Sequence, residues 1–309
     1  MAQASSGRSG EFRRPDSGER PRGHTGRHRA GALAVYAAEP AGGGRNLAAA
    51  VTVGISMAVV ALVPLLLYRR AFLLIVALAV AIGTWELVRA IEHSGAHPPL
   101  EPLLVGGVGT VPLVWLTGAQ ALAIGWVVTV VAVMLWRLPE GPVGYARDVA
   151  SATLAVSYVP FLAGFVVLLL APADGGGRVL ALLGIVITSD VGGYAAGSFF
   201  GKHKMAPSIS PGKTWEGTAG SVLLSAVAGT AIIVLSFHGI WWQGAVFGTI
   251  VSAAAVVGDL TESLIKRDLG MKDMGTLLPG HGGVMDRFDS ILLAAPVAYL
   301  LLVWCAPVA

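Results

Sequence analysis

Acidic and basic side chains cluster near the C-terminal end of an otherwise apolar chain. Asp259, Glu262 and Lys266 are spaced i, i+3 and i+7, so a helix places all three on one face. Asp286 and Asp289 are three residues apart and share a helical face in the same way. Two antiparallel helices whose polar ends meet would bring the four carboxylates together, and like charges so placed need cations. Oxygen ligands without a cysteine cluster favour a hard ion, Mg²⁺ or Mn²⁺, over zinc.

N-capping with a favourable helix dipole is the alternative interpretation of Asp286 and Asp289. Capping alone does not explain a second acid pair at the end of the preceding helix. His203 and His281 each lack a second histidine at metal-ligand spacing, so we interpret them as hydrogen-bond donors.

A second polar segment, residues 201–216, combines three lysines and three hydroxyl side chains with the start of a helix. Ammonium groups supply positive charge, while hydroxyls and first-turn N–H groups donate hydrogen bonds, so the segment can bind an anion. Its Gly-Lys-Thr run is no P-loop, because that motif needs a glycine where this chain has Pro207. The alternative is a solvated, positively charged loop in which Ser210 caps the next helix.

Asp190 is predicted to lie inside a membrane-spanning helix. Gly192, Gly193, Ala196 and Gly197 follow it and would allow another helix or a ligand to approach closely. An intramembrane acid is a functional hypothesis by default. The alternative is an interhelical hydrogen bond donated by a protonated carboxyl group.

The composition is that of a membrane protein. Of the 309 residues, 55% are hydrophobic and only 13% are charged, against about 25% charged residues in a soluble domain. The only cysteine is Cys305, so no intrachain disulfide can form.

Apolar runs of about 20 residues predict an all-α, polytopic integral membrane protein with about nine transmembrane helices. The predicted spans lie near residues 47–68, 71–91, 102–118, 120–137, 149–171, 178–200, 215–237, 241–265 and 287–307.

Residues 1–45 contain eight arginines and four acids and are rich in Gly, Ser and Pro. This composition predicts a disordered, Arg-rich cytoplasmic tail, whose arginines either touch anionic lipid or stay solvated. The transmembrane domain is predicted to occupy residues 46–309, with its catalytic part at about 180–305. A cytoplasmic N-terminus puts 18 of the 21 basic residues on the cytoplasmic side, together with the three polar loops that follow the fourth, sixth and eighth predicted spans.

The clusters together indicate phosphoryl-type chemistry: carboxylates for a divalent metal, Lys and Arg for spread negative charge, and glycines for close approach. A lipid phosphate and a water-soluble nucleotide could meet at such a membrane surface. The residues alone name neither substrate.

Residues 263–289 resemble the signature of the phosphatidate cytidylyltransferases, also called CDP-diacylglycerol synthases. The matching positions are Ser263, Lys266, Arg267, Lys272, Asp273, Gly275, Pro279, His281, Gly282, Gly283, Asp286, Arg287 and Asp289. Residues 200–217 and 258–263 resemble two further blocks of that family. Two departures are Met274, where a serine is common, and Val191-Gly192-Gly193 in place of Thr-Gly-Ala, and neither removes a charged group.

The resemblance implies that CTP and phosphatidic acid react to give CDP-diacylglycerol and pyrophosphate. It implies Mg²⁺ as cofactor, with a second cation left open, a homodimer, no nucleic-acid partner, and a place in a bacterial cell membrane with the active site on the cytoplasmic side. A CTP-dependent polyprenol or phytol kinase is one alternative, although it is not expected to carry the whole signature. An ion-coupled transporter is another, and it predicts acids spread along a midplane pathway instead of at one end.

These patterns together give a predicted site. The predicted metal ligands are Asp259 and Asp286 first, then Asp289 and Glu262. The predicted catalytic residues are Asp259, Asp286, Lys266, Arg267, Lys272, Asp273, His281, Arg287 and Asp190. The predicted substrate-binding residues are Lys202, Lys204, Ser210, Lys213, Thr214, Glu216, Gly282 and Gly283.

Overall fold

The structure is a computed structural model that describes residues 47–275, 277 and 282–307. The predicted tail at residues 1–45 lies outside the described residues, and so does His281. Within the described part the chain is almost entirely helical, with one short two-stranded hairpin.

Ten α-helices follow one another in the described part of the chain. They are α1 (Leu47–Leu67), α2 (Arg69–Glu92), α3 (Leu100–Thr117), α4 (Ala119–Arg137), α5 (Tyr145–Val156), α6 (Leu162–Leu170), α7 (Gly175–Phe200), α8 (Trp215–Phe237), α9 (Trp241–Asp268) and α10 (Met285–Cys305). A 3₁₀ turn (Leu138–Glu140) follows α4, a π-helical segment (Ser157–Phe161) joins α5 to α6, and strands β1 (Lys204–Ala206) and β2 (Ser210–Thr214) lie between α7 and α8.

Eight spans in the described part are long and apolar enough to cross a membrane, with α5 and α6 counted as the single span Tyr145–Leu170. The prediction of an all-α, polytopic membrane protein is therefore confirmed, with a number of spans close to the predicted nine. The first predicted span coincides with α1. It is not among the eight, because in the described part of the chain only its stretch Ala58–Leu67 counts as an apolar helix, and that stretch is too short to cross a membrane.

The π-helical segment has a cause in the sequence. Pro160 lies inside it and has no N–H to donate to a helical hydrogen bond, so the regular pattern is interrupted there. Gly107 of α3 packs directly against the proline ring, since a Cβ at Gly107 would lie 2.8 Å from Pro160 Cγ. Trp126 donates its indole N–H to Ser157 Oγ at 2.8 Å, which ties α4 to the start of the segment.

Small residues bring the helices of the C-terminal half into backbone contact. A Cβ on Gly192 of α7 would lie 2.6 Å from the carbonyl oxygen of Gly220 in α8. The close approach predicted for the residues after Asp190 is thus confirmed. Ser189 then links three helices, because its carbonyl accepts from Ser221 Oγ at 2.6 Å and its hydroxyl accepts from Ser252 Oγ at 2.9 Å.

The end of the bundle at which α7 begins is held by Arg178. Its guanidinium donates to the carbonyl of Ala306 at 2.6 Å and to Asp174 Oδ1 at 2.8 Å. The hydrogen bond from Arg178 lowers the pKa of Asp174, so this carboxylate stays charged and the link persists in mildly acid solution. The C-terminal end of α10 is therefore fastened to the start of α7.

A buried ion pair joins α4 to α5. Asp148 accepts from Arg137 Nη2 at 2.7 Å and Nε at 3.0 Å, and its other oxygen accepts from the backbone N–H of His97 at 2.7 Å. Glu140 also contacts Arg137, at 2.9 Å, but its side chain is 58% exposed whereas that of Asp148 is 1% exposed.

Asp148→Asn is expected to lower the free energy of unfolding by roughly 3 kcal/mol, because removing one partner of a buried ion pair leaves the other charge poorly compensated. Glu140→Gln is the matched control on the same arginine, and its exposed pair should contribute less than about 1 kcal/mol. Unfolding of both variants in detergent micelles, followed by circular dichroism, measures the difference. Equal effects of the two substitutions would contradict a structural role specific to Asp148.

Candidate active site

The hairpin of β1 and β2 folds the predicted anion-binding segment against the start of α8. Lys204 pairs with Thr214 and Ala206 with Ser210 in antiparallel register. Thr214 Oγ1 accepts from the N–H of Gly217 at 3.1 Å, so Thr214 caps α8. The alternative in which Ser210 is the cap is therefore wrong, because β2 carries the chain four residues further before the helix begins.

Glu216 and Arg267 fix the hairpin to its neighbours. The carboxylate of Glu216 accepts from the backbone N–H groups of Lys202 and His203 at 3.2 Å and contacts His203 Nδ1 at 2.6 Å. Arg267, near the end of α9, donates to the carbonyl of Ile209 between the strands at 3.4 Å. Glu216 thus has a visible structural function, whatever part it takes in binding.

Lys213 and Asp259 face each other in a cavity of about 220 Å³ between α7, α8, α9 and the hairpin. Lys213 Nζ lies 2.5 Å from Asp259 Oδ2 and donates to the carbonyl of Val256 at 3.2 Å. Asp190 and Thr214 line the same cavity. Four predicted site residues from three separate segments of the chain are therefore brought together.

Lys266 forms the centre of a second cluster, where α9 meets α10. Its ammonium lies 3.1 Å from Glu262 Oε1 and 2.9 Å from Asp286 Oδ1. The side chain of Lys266 is 13% exposed and that of Glu262 is fully buried. Asp286 also accepts from the N–H groups of Met274 at 3.0 Å and Gly283 at 2.8 Å. Asp286 lies in the first turn of α10, where the helix dipole favours an acid. The alternative that it caps the helix is wrong, because the N–H groups from which it accepts in the described part precede the helix, and the same carboxylate bonds to a lysine.

A glycine lets α9 and α10 touch at the level of the acids. A Cβ on Gly258 would lie 2.6 Å from the carbonyl oxygen of Asp289, which leaves no room for a side chain there. The contact brings together the polar ends of α9 and α10, which carry Asp259 and Asp289, as the sequence predicted for two antiparallel helices. Asp289 Oδ1 accepts from the N–H of Ser290 at 2.6 Å.

The backbone before α10 depends on glycine as well. Gly282 has a φ of +78°, which L side chains rarely adopt, and a Cβ there would lie 2.8 Å from Asp286 Oδ2. The next residue, Gly283, packs against the carboxylate of Glu86 from α2. These two glycines therefore shape the loop and leave space for two carboxylates.

Other predicted residues lie at the surface of the same end of the bundle. The side chains of Lys202, Lys204, Lys272, Asp273 and Arg287 are exposed, and none of them lines the cavity around Lys213. Their positions fit a solvent-facing rim, and their predicted roles in binding stay predictions.

Two buried polar residues were not predicted as part of the site. Glu86 of α2 stands out in the sequence only as a lone acid in an apolar span. Tyr158 lies in the π-helical segment, and its buried hydroxyl has no hydrogen-bond partner among the described residues. The hydroxyl group lies within electrostatic range of the carboxylates of Glu262 and Asp289. A π-helical segment at a functional site is a recurrent feature, so Pro160 is the signal that could have indicated it.

The acids provide the donor chemistry that a hard cation requires. Both carboxylate oxygens of Glu262 are buried, and neither accepts a well-formed hydrogen bond in the described part of the chain, although Lys266 is in contact. Such oxygens fit a hard divalent ion. In this conformation no three His, Cys, Asp or Glu side chains of the described residues are grouped closely enough to hold a metal. Instead, the ammonium groups of Lys213 and Lys266 balance the negative charge of the carboxylates.

The chain matches the Cytidylyltransferase family over residues 48–305. The phosphatidate cytidylyltransferase of Mycobacterium bovis is 40% identical to it over 285 residues, which cover 88% of this chain and 93% of that protein. That of Mycobacterium leprae is 40% identical over 275 residues, covering 84% and 88%. That of Pseudomonas aeruginosa is 34% identical over 263 residues, covering 76% and 88%.

Proposed function

This chain belongs to the cytidylyltransferase family, and we propose that it transfers the cytidylyl group of CTP to phosphatidic acid, forming CDP-diacylglycerol and pyrophosphate. The family extends over almost the whole described part of the chain, and relatives with this name are similar over most of their length. The observation that carries the proposal is the pairing of Lys213 with Asp259 and of Lys266 with Glu262 and Asp286 at one end of a membrane-spanning bundle.

The reaction is a displacement at phosphorus. An oxygen of the lipid phosphate forms a bond to the α-phosphorus of CTP, and the bond from that phosphorus to the oxygen bridging to the β-phosphorus breaks. Pyrophosphate leaves with the electron pair. The lipid phosphate is already largely ionised near neutral pH, so no strong general base is needed. The demand on the protein is to screen two anions and align them for in-line attack.

The carboxylates are assigned to the metal. Asp259 and Asp286 would hold Mg²⁺, with Asp289 and Glu262 as further ligands, and a second cation remains open. When bound, Mg²⁺ would neutralise phosphate charge and stabilise the departing pyrophosphate. The oxygens of Glu262 support this assignment, because they are buried and accept no well-formed hydrogen bond among the described residues, although Lys266 lies 3.1 Å from Oε1.

The basic residues are assigned to the substrate phosphates. Lys266 and Lys213 stand at the two carboxylate clusters, so each can exchange a carboxylate for a phosphate oxygen when substrate arrives. We assign the triphosphate or the lipid phosphate to Lys266, Arg267, Lys272 and Arg287. We assign the nucleotide or the second phosphate to Lys202, Lys204, Ser210, Lys213, Thr214, Glu216, Gly282 and Gly283. Asp190, Asp273 and His281 complete the proposed catalytic set, and the place of Asp190 in the cavity supports its inclusion.

The chain is a multi-pass membrane protein, and we propose that its N-terminus and active site face the cytoplasm. The support is the excess of Lys and Arg that this orientation puts on the cytoplasmic side, 18 of 21. CTP is water-soluble and the lipid lies in the bilayer, so a site at this surface receives both. A homodimer in a bacterial cell membrane is part of the same proposal.

Purified protein supplied with CTP, phosphatidic acid and Mg²⁺ is expected to release pyrophosphate and form CDP-diacylglycerol in equal amounts. Chelation of the metal with EDTA should abolish both products, and added Mg²⁺ should restore them, because the substrates would otherwise repel one another. Pyrophosphate release and thin-layer chromatography of the lipid measure the two products.

Diacylglycerol and a polyprenol replace phosphatidic acid in parallel reactions. Neither alcohol should be modified. Phosphorylation of an alcohol with release of CDP, and no reaction of phosphatidic acid, would show a CTP-dependent lipid kinase instead.

A further inference from the structure

Glu86 is the buried carboxylate of α2 that lies closest to the predicted signature segment. Its side chain accepts two backbone hydrogen bonds, from Val284 N–H at 3.1 Å and from Met285 N–H at 2.7 Å, across 198 and 199 residues of sequence. The residue is only 1% exposed. No part of the proposed function so far uses it.

The two bonds satisfy the start of α10. The first N–H groups of a helix have no partner within the helix, and the positive end of the helix dipole lies there. A carboxylate from α2 therefore caps α10 at Val284 and Met285, in place of a side chain from the segment before the helix. Hydrogen bonds from backbone N–H groups to an ionised carboxylate are among the stronger ones, which offsets the burial of its charge.

Glycines admit the carboxylate to this position. A Cβ on Gly283 would lie 2.6 Å from both oxygens of Glu86, and a Cβ on Gly275 would meet the same carboxylate more closely still. Gly275 and Gly283 lie on either side of the loop that the family signature covers. One side chain from α2 is thus packed between the two ends of that loop.

Glu86 and Asp286 divide the backbone donors between them. Asp286 accepts from Met274 and Gly283, while Glu86 accepts from Val284 and Met285. Asp286 Oδ1 is therefore directed at Lys266, at 2.9 Å, while the helix start is held by another residue.

We propose that Glu86 is a positioning residue, which fixes the backbone at Val284 and Met285 so that the carboxylate of Asp286 is held beside Lys266, in the place from which it would bind the metal. Its role in turnover rests on the proposed function. Its contact with the backbone of α10 is independent of that function, so the contact and the effect on turnover are measured separately.

Glu86→Gln tests the proposal, because the amide has the same size but must turn its NH₂ group toward one of the backbone donors. Hydrogen–deuterium exchange of the purified, membrane-reconstituted protein needs no substrate. Exchange in the peptide containing Val284 and Met285 should become about tenfold faster, since each lost hydrogen bond of ordinary strength corresponds to about that factor. In the transfer assay kcat should fall about a hundredfold with KM for CTP within about twofold, as expected when a reacting group is misplaced by about 1 Å. Glu86→Asp keeps the charge and should recover part of both losses.

Glu92→Gln is the matched control, because Glu92 lies at the end of the same helix, its side chain is partly exposed, and among the described side-chain contacts it pairs with Arg89. It should change neither measurement. If Glu86→Gln does not accumulate in folded form, Glu86→Asp is measured instead. Its shorter carboxylate should give faster exchange at Val284 and Met285 and a lower kcat than the wild type.

Faster exchange with unchanged kcat would make Glu86 a structural anchor and overturn the proposal. A lower kcat with unchanged exchange would overturn it too, since the effect would not pass through the start of α10. If the wild-type protein transfers no cytidylyl group, the proposed function fails, and unchanged exchange in Glu86→Gln would separately refute the contact.

Discussion

Asp286→Asn is expected to abolish turnover while the protein still folds and inserts into the membrane. The carboxylate of Asp286 joins Lys266 to the backbone of Met274 and Gly283. Asparagine keeps the shape but has one acceptor oxygen instead of two and no charge for a metal. We expect the rate to fall about a thousandfold or more, because both charge stabilisation and cation binding are lost. The initial rate of pyrophosphate release measures the effect.

Asp268→Asn is the control for this substitution. Asp268 is the last residue of α9, is exposed, and lies outside the predicted site. Its replacement should leave the rate within about twofold, as is usual for surface positions. If Asp286→Asn also keeps its rate within about twofold of the wild type, with normal size-exclusion and circular dichroism profiles, Asp286 is not a catalytic residue.

Lys266→Met is expected to abolish activity and to destabilise the fold. The methionine matches the lysine stem in length but leaves Glu262 and Asp286 without their shared cation. Breaking a buried ion pair by removing one partner costs about 3–5 kcal/mol. Unfolding in detergent and the rate of CDP-diacylglycerol formation measure the two effects.

The double variant Lys266→Met with Glu262→Gln separates the two effects. Removal of the buried Glu262 charge should recover much of the stability, since the two side chains are in contact and their effects are not additive. Activity should stay low, because the double variant still lacks the ammonium group. Arg89→Gln, which breaks an exposed pair, is the control and should change neither quantity. Full recovery of activity in the double variant would show that Lys266 serves only to neutralise Glu262.

Hydropathy alone predicted most of the helical architecture, because a membrane span needs a long apolar run whatever it packs against. Helical periodicity also predicted that the polar ends of α9 and α10 meet, and Glu262 and Asp286 do share Lys266 there. The predicted grouping of all four carboxylates is not found among the described residues, where Asp259 pairs with Lys213. The small residues after Asp190 correctly indicated a close helix contact. These features depend on residues near one another in sequence, where spacing determines which face a side chain occupies.

Pairings between distant segments could not be predicted in this way. Nothing in the spacing of Lys213 indicates that its ammonium meets Asp259, since the contact depends on a hairpin of three- and five-residue strands. Thr214 replaces Ser210 as the cap for the same reason. Glu86 has partners 198 and 199 residues away, and those partners are backbone N–H groups, which are present in every sequence.

The contact between Glu86 and α10 also has a consequence for biogenesis. Ribosomes add roughly 5–20 residues per second, so the 198 residues between Glu86 and Val284 take roughly 10–40 s to synthesise. During that interval α2 carries a carboxylate whose two backbone partners do not yet exist, and burial of a charge in a span is unfavourable, by up to about 2.5–3.5 kcal/mol at the helix centre on insertion scales. The carboxylate of Glu86 in α2 therefore gains these two backbone partners only after α10 has been synthesised and has docked.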